Sequence, residues 1–158
     1  MLELQRAWYP SRIGTIEIAA TEKGIVDISF VEEQRGDNAE LPHLHLCLLQ
    51  LKEYFEEGRR QFDTLPLAFI GTDFQTRVWE ETMKIPFGET VTYGKLAELG
   101  GFGAATRAVG TALGRNKLAI LVPCHRIIPA SASGPKSGEY AWGAWRKEWL
   151  LHHERDER

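Results

Sequence analysis

Pro123-Cys124-His125-Arg126 sets a sulfur nucleophile beside an imidazole base and a guanidinium, immediately after the apolar run Leu118 to Val122. A thiol reacts as its thiolate, and its ordinary pKa of about 8.5 falls when His or Arg stands near. In an extended chain, neighbouring side chains face opposite sides, so a Cys124–His125 pair needs a bend or a bridging water. The imidazole also needs an acceptor to orient it, as in any nucleophile–base–orienter relay. Glu154 and Glu148, in the last predicted helix, are the two candidates. The competing reading is a small buried thiol next to a hydrogen-bonded core histidine.

A second group of chemical residues, His43, His45 and Cys47, falls in a predicted helix from about Pro42 to Glu57 that Gly58 stops. The helical stripe Leu44, Leu48, Leu51 and Phe55 turns His45 away from the other two, which leaves too few ligands for a zinc site, so no metal is expected. Cys47 and Cys124 are the only cysteines, and a reducing compartment keeps them apart.

With 158 residues, 43% hydrophobic and 26% charged, the chain is expected to be a soluble protein with a real core. No apolar run approaches the roughly 20 residues that cross a bilayer. Met1 to Pro10 carries Glu3 and Arg6 without an apolar h-region, so a cytoplasmic location is expected, or a nuclear one in a eukaryote. Charge is unevenly placed: residues 1–71 carry −5 and residues 72–154 carry +2. No Asp or Glu occurs between Glu98 and Glu139, an interval holding Arg107, Arg115, Lys117, Arg126 and Lys136. This is a candidate polyanion face.

The elements that must position these residues form an α+β fold in two domains, 1–71 and 72–158. In the first, Thr15 to Ala20 and Ile25 to Val31 alternate as a hairpin about Lys23-Gly24, giving a small antiparallel sheet plus the helix. The second is mainly helical. Thr72 and Gln75 form a capping box for a helix reaching Ile85-Pro86, with Trp79 in the core. Thr92 caps a short helix ending at Gly100-Gly101, and Ala104 to Leu113 forms another, with Ala105, Ala108, Val109 and Ala112 as a small-residue surface. The layout is a helix-turn-helix. Arg107, near the front of the second helix, and a face of Ala and Gly suit close approach to a DNA backbone rather than base reading. The last helix spans Ala144 to His153 with Trp145, Trp149 and Leu150 inward, and 155–158 frays.

These blocks together, Arg107-Ala108-Val109-Gly110, Asn116, Pro123-Cys124-His125-Arg126, Gly138-Glu139-Tyr140-Ala141-Trp142-Gly143 and Lys147-Glu148-Trp149-Leu150-Leu151, resemble the O6-alkylguanine-DNA alkyltransferases. The resemblance covers Thr72 to Glu154 closely and residues 1–71 loosely. It implies a single-turnover repair protein that takes an alkyl group from guanine O6 onto Cys124 without a cofactor. His125 would deprotonate Cys124 through a water, Glu154 would orient His125, Asn116 would brace the turn and Tyr140 would donate a proton to the leaving guanine. Arg107 would fill the stack vacated by a flipped base and Tyr93 would press on its phosphate, with Thr92, Ala105, Arg115 and Arg126 completing the DNA contacts in the minor groove. The implied partner is double-stranded DNA carrying O6-alkylguanine, bound by a monomer or a cooperative assembly, with no membrane involved.

Four departures from the family pattern stand out: Lys117 where Pro is usual, Ala141 for a Ser, Trp142 where many members have Gly, and a longer loop at 131–136. Retention of Cys124 argues against a lesion-binding relative that lacks the cysteine. The distance that cysteine peptidases keep between Cys and His argues against that class.

Overall fold

The computed structural model describes residues 3–33, 39–130 and 139–156, the side chain of Asp156 excepted. The chain divides into two compact units, Met1–Ile70 and Gly71–Arg158. In the first, β1 (Gln5–Ser11), β2 (Gly14–Thr21) and β3 (Gly24–Val31) make an antiparallel meander in that order. Alternation buries Ile16 and Ile18 on the face that α1 (Pro42–Glu56) covers with Leu44, Leu51 and Phe55. The hairpin of β2 and β3 is as expected, but β1 was not read from the sequence. Pro10 interrupts its pattern, and an edge strand tolerates a proline because one of its sides makes no ladder bonds. Residues beyond α1 return to the other edge, where Ile25 N–H donates to Pro66 O at 2.8 Å and Ala68 N–H to Ile25 O at 2.9 Å.

His43 and His45 bond separately to the carbonyls of Thr21 and Ala39, and Cys47 is a buried free thiol.

The second unit opens with α2 (Asp73–Thr82), whose capping box is present: Gln75 N–H donates to Thr72 Oγ1 at 3.1 Å and Thr72 N–H to Gln75 Oε1 at 3.0 Å. Then follow β4 (Val91–Thr92), α3 (Tyr93–Leu99), α4 (Thr106–Gly114), a 3₁₀ turn (Cys124–Arg126), β5 (Ile127–Ile128) and α5 (Ala144–Asp156). The α3–α4 turn requires left-handed backbone at Gly101 (φ +71°) and Gly103 (φ +64°), which glycine adopts without a Cβ penalty. Trp79 is buried and its Nε1–H donates to Ala112 O at 2.8 Å, fastening α2 to α4.

Val109 and Ala112 therefore face the core, which corrects the small-residue surface: the outward residues of α4 are Thr106, Arg107, Ala108, Thr111 and Gly114. The last helix is also corrected. It continues to Asp156, and Trp145 is 56% exposed where an inward position was expected, while Lys147 is 0% exposed. The inward stripe is Lys147, Leu150 and Glu154, spaced i, i+3, i+7. The 131–136 loop lies outside the described residues. No helix of the described residues is long and apolar enough to cross a membrane.

Candidate active site

Residues 119–122 turn and bend, and Ile120 takes φ +72°. For a β-branched residue that conformation costs about 1–3 kcal/mol and persists only where its surroundings enforce it. Asn116 supplies the enforcement: Oδ1 accepts from Leu118 N–H at 2.8 Å, and Nδ2 donates to Val122 O at 3.1 Å and to Cys124 Sγ at 3.2 Å. Burial pushes the Cys124 thiol up to about 12, against the Asn116 bond and the positive charge of Lys147. The resting group is a thiol, donating weakly to Leu113 O at 3.8 Å.

The bend that the Cys–His adjacency requires is the 3₁₀ turn, in which successive side chains diverge by about a third of a revolution. His125 is therefore fully buried and turned to α5, where Nε2 meets Glu154 Oε2 at 2.7 Å. Glu154, not Glu148, is the acceptor because it shares the inward stripe. Burial lowers the His125 pKa, with Glu154 opposing. Glu154 lies well below the usual carboxylate range, because His125 and Arg126 outweigh the burial that would raise it. A neutral imidazole facing a carboxylate carries its proton on Nε2. Nδ1 is then a bare acceptor, and it has no hydrogen-bond partner among the described residues.

Arg126, expected among the DNA contacts, is buried instead. Its Nε and Nη2 donate to the two Glu154 oxygens at 2.8 and 3.0 Å, and Nη1 donates to Ile85 O at 2.7 Å. The guanidinium fork matches a carboxylate edge, so these bonds hold it in the interior. Its place is structural, locking the end of α5 against the 3₁₀ turn.

Cys124 lines a cavity of about 370 Å³ together with Tyr93, Tyr140 and Trp142, a volume within the range of small-molecule sites. The rings of Tyr140 and Trp142 meet edge to face at 5.2 Å. Tyr140 Oη is buried without a hydrogen-bond partner among the described residues, and burial raises its pKa well above that of a free phenol. Tyr93 is raised too, by burial and then by Cys124 and Glu139.

Sequence reasoning missed Lys147, whose Nζ donates to Ile127 O at 2.5 Å and Glu139 O at 3.1 Å. It ties the backbone on both sides of the 131–138 segment, and burial pulls it down to about 8. Its signal was the helical spacing with Leu150 and Glu154.

Arg107 and Arg115 are exposed at the two ends of α4, and Ala105 is its N-cap. Thr92 caps α3, its Oγ1 accepting from Lys95 N–H at 3.0 Å. Arg107 and Tyr93 also line a second, shallower cavity of about 540 Å³ next to the first.

Two family models match the chain: the 6-O-methylguanine DNA methyltransferase ribonuclease-like domain over residues 4–69 and the DNA binding domain of the same name over residues 73–156. The methylated-DNA–protein-cysteine methyltransferase of Shigella flexneri is 50% identical over 105 residues, covering 66% of this chain and 60% of that protein. The protein of the same name from Methanosarcina acetivorans is 39% identical over 155 residues, covering 92% and 94%. The crystal structure of Mycobacterium tuberculosis OGT in complex with DNA superposes with a TM-score of 0.82 at 35% identity, covering 98% of this chain and 93% of that one.

Proposed function

Because the chain belongs to the 6-O-methylguanine DNA methyltransferase family, we propose that it repairs DNA by moving the alkyl group of O6-alkylguanine onto Cys124, once per molecule. The observation that carries the reading is Cys124 in a cavity beside a neutral histidine whose Nε2 is committed to Glu154 and whose Nδ1 is bare.

The reaction is a displacement at an sp³ carbon. The Cys124 proton leaves for His125 Nδ1 through a water, and Glu154 stabilises the imidazolium that forms. The thiolate forms the new carbon–sulfur bond in line as the carbon–O6 bond breaks, and the electron pair leaves with guanine. Tyr140, kept a phenol by burial, donates to the departing base. Lys147 and Asn116 favour the thiolate at the moment it is needed. A thioether has no carbonyl for water to attack, so the cysteine is not regenerated.

A base stacked in a duplex cannot reach the cavity and must be extruded. Exposed Arg107, at the front of α4, is our choice to fill the gap, with Tyr93 bearing on the target's phosphate and Thr92, Ala105 and Arg115 on the neighbouring backbone. The small outward residues of α4 fit a minor-groove approach. We place the protein in the cytoplasm.

Incubation with duplex DNA carrying methyl-labelled O6-methylguanine should label the protein to one equivalent and stop. Peptide mapping should find the label on Cys124. Labelling beyond one equivalent, or on another peptide, would refute the sacrificial mechanism. For Arg107→Ala, the rate on duplex should fall about tenfold or more, the worth of one strong arginine contact. The rate with free O6-benzylguanine should stay within a factor of about two, since that substrate needs no extrusion. Equal losses on both would rule out a role at the stack.

A further inference from the structure

The two ends of α4 are held differently. Its back half is fastened to the core through buried Val109 and Ala112 and through the bond from Trp79 Nε1–H to Ala112 O. Its front, which carries the exposed Arg107, continues directly from the turn 100–105. Gly101 and Gly103 give that turn its left-handed backbone, and among the described residues nothing lies within 4 Å of where a Cβ on either would stand. They supply conformation but no packing, and glycine leaves a chain free to abandon such a conformation. Phe102, between them, supplies the packing. Its ring meets Phe74 edge to face at 5.4 Å, and the Arg77 guanidinium stands 5.1 Å from its centroid. Phe74 and Arg77 are three residues apart on α2 and so share one face. Gly100 lies against the same ring. Its φ of −84° suits any residue, so the glycine there answers to space: a Cβ would stand 2.2 Å from Phe102 Cε2. The Phe102 backbone joins both helices. Its N–H donates to Ala97 O of α3 at 2.8 Å, and its carbonyl accepts from the N–H of Ala105, the N-cap of α4, at 3.3 Å.

We propose that Phe102 is a positioning residue for repair in duplex DNA: its ring, held by Phe74 and Arg77 against the bare Cα of Gly100, fixes the front of α4 and so aims Arg107 at the stack. This role rests on the alkyl-transfer reading above. A side chain that must enter a base stack acts best from a backbone already ordered, because a loose turn has to be ordered when the DNA binds. The chemistry at Cys124 is a separate matter. Phe74, Arg77 and Phe102 line neither the Cys124 cavity nor the shallower one beside it. Loss of the ring therefore leaves reaction with a free base intact and weakens the step that only a duplex requires.

The test measures single-turnover rates on duplex O6-methylguanine and on free O6-benzylguanine. For Phe102→Ala the duplex rate should fall about fivefold or more, the worth of an aromatic contact and a cation–π contact together. The free-base rate should stay within a factor of about two. Gly100→Ala should reproduce that loss by displacing the ring without altering it, yet add nothing in the Phe102→Ala background, where the space is empty. Arg107→Ala should cost less in the Phe102→Ala background than in the unsubstituted chain, since the arginine there is no longer aimed. An equal cost of Arg107→Ala in both backgrounds would overturn the role. So would Phe102→Ala slowing both substrates alike, or neither. Thermal melts show whether Phe102→Ala folds; if it does not, Gly100→Ala and Phe102→Leu carry the same comparison. A duplex-to-free ratio unaltered in these variants removes only the role of Phe102, whereas no transfer from O6-methylguanine by the unsubstituted chain removes the underlying reaction as well.

Discussion

Cys124→Ala should transfer no label at all from O6-methylguanine DNA while retaining its fold and its affinity for that DNA. The substitution removes the sole sulfur lining the cavity among the described residues. Cys47, the other free thiol, is buried in the N-terminal unit with its pKa pushed up to about 12 by burial and is not a substitute nucleophile. The structural cost is small, about 1 kcal/mol for the lost sulfur contacts. Asn116 Nδ2 keeps Val122 O as an acceptor at 3.1 Å, so the turn that holds Ile120 in its strained conformation survives. Retained DNA binding with zero transfer, read by gel shift and by label on the same samples, separates chemistry from recognition. Residual transfer to any other side chain would overturn the assignment of Cys124. Binding by either protein should weaken steeply as salt rises from 50 to about 200 mM, because phosphate contacts release counterions.

Glu154→Ala should be the most destabilising single change in the C-terminal unit, and it should also suppress transfer. Glu154 accepts from His125 and twice from Arg126, all inside the fold. Deleting it leaves a buried guanidinium without a counter-charge, a loss of about 3–5 kcal/mol. The melting temperature should drop by about 10 °C or more. Glu154→Gln preserves shape and separates the two effects: it should fold better than Glu154→Ala yet lose transfer about a hundredfold, because His125 loses the carboxylate that stabilises its protonated form. A Glu154→Gln rate within a few-fold of the unsubstituted protein would remove the relay.

The same cluster sets the pH dependence of stability. The folded state keeps His125 neutral, so acidification through the ordinary histidine range near 6.5 protonates it only in the unfolded chain and lowers stability. Glu154 is depressed in the folded state, so its contribution is complete above the ordinary carboxylate pKa of about 4.3 and is lost as pH falls further. Both act in one direction. Thermal melts from pH 8 down to about pH 3 should show stability declining as pH falls, and Glu154→Gln should flatten the carboxylate part of that decline, below about pH 4.3.

Local signals were legible because local chemistry produces them. The Thr72–Gln75 capping box and the Thr92 cap need only residues three apart, and glycine-rich punctuation marks the α3–α4 turn whatever surrounds it. Amphipathic spacing likewise gave α1 and the α+β class. The failures share a different cause. Trp145 looked inward because it is apolar, and nothing singled out Lys147, since a charged residue is rarely fully buried. The inward stripe of α5 instead follows the partners waiting there: the carbonyls of Ile127 and Glu139 for Lys147, and His125 and Arg126 for Glu154. Arg126 looked like a phosphate ligand from its place in a basic interval, and only the approach of α5 to the 3₁₀ turn turns it into the counter-charge of Glu154.

The sequence by itself determined which atoms could react, since Cys124 beside His125 is a covalent fact, and it determined the helices and strands whose periodicity and caps are local. Tertiary structure alone decided which proton each group holds. Burial makes His125 neutral and Cys124 a thiol, and packing 29 residues away in sequence brings Glu154 to Nε2 and so leaves the proton off Nδ1. Desolvation and charge proximity depend on what surrounds a group from all sides, and no pattern of spacing along one chain direction encodes that.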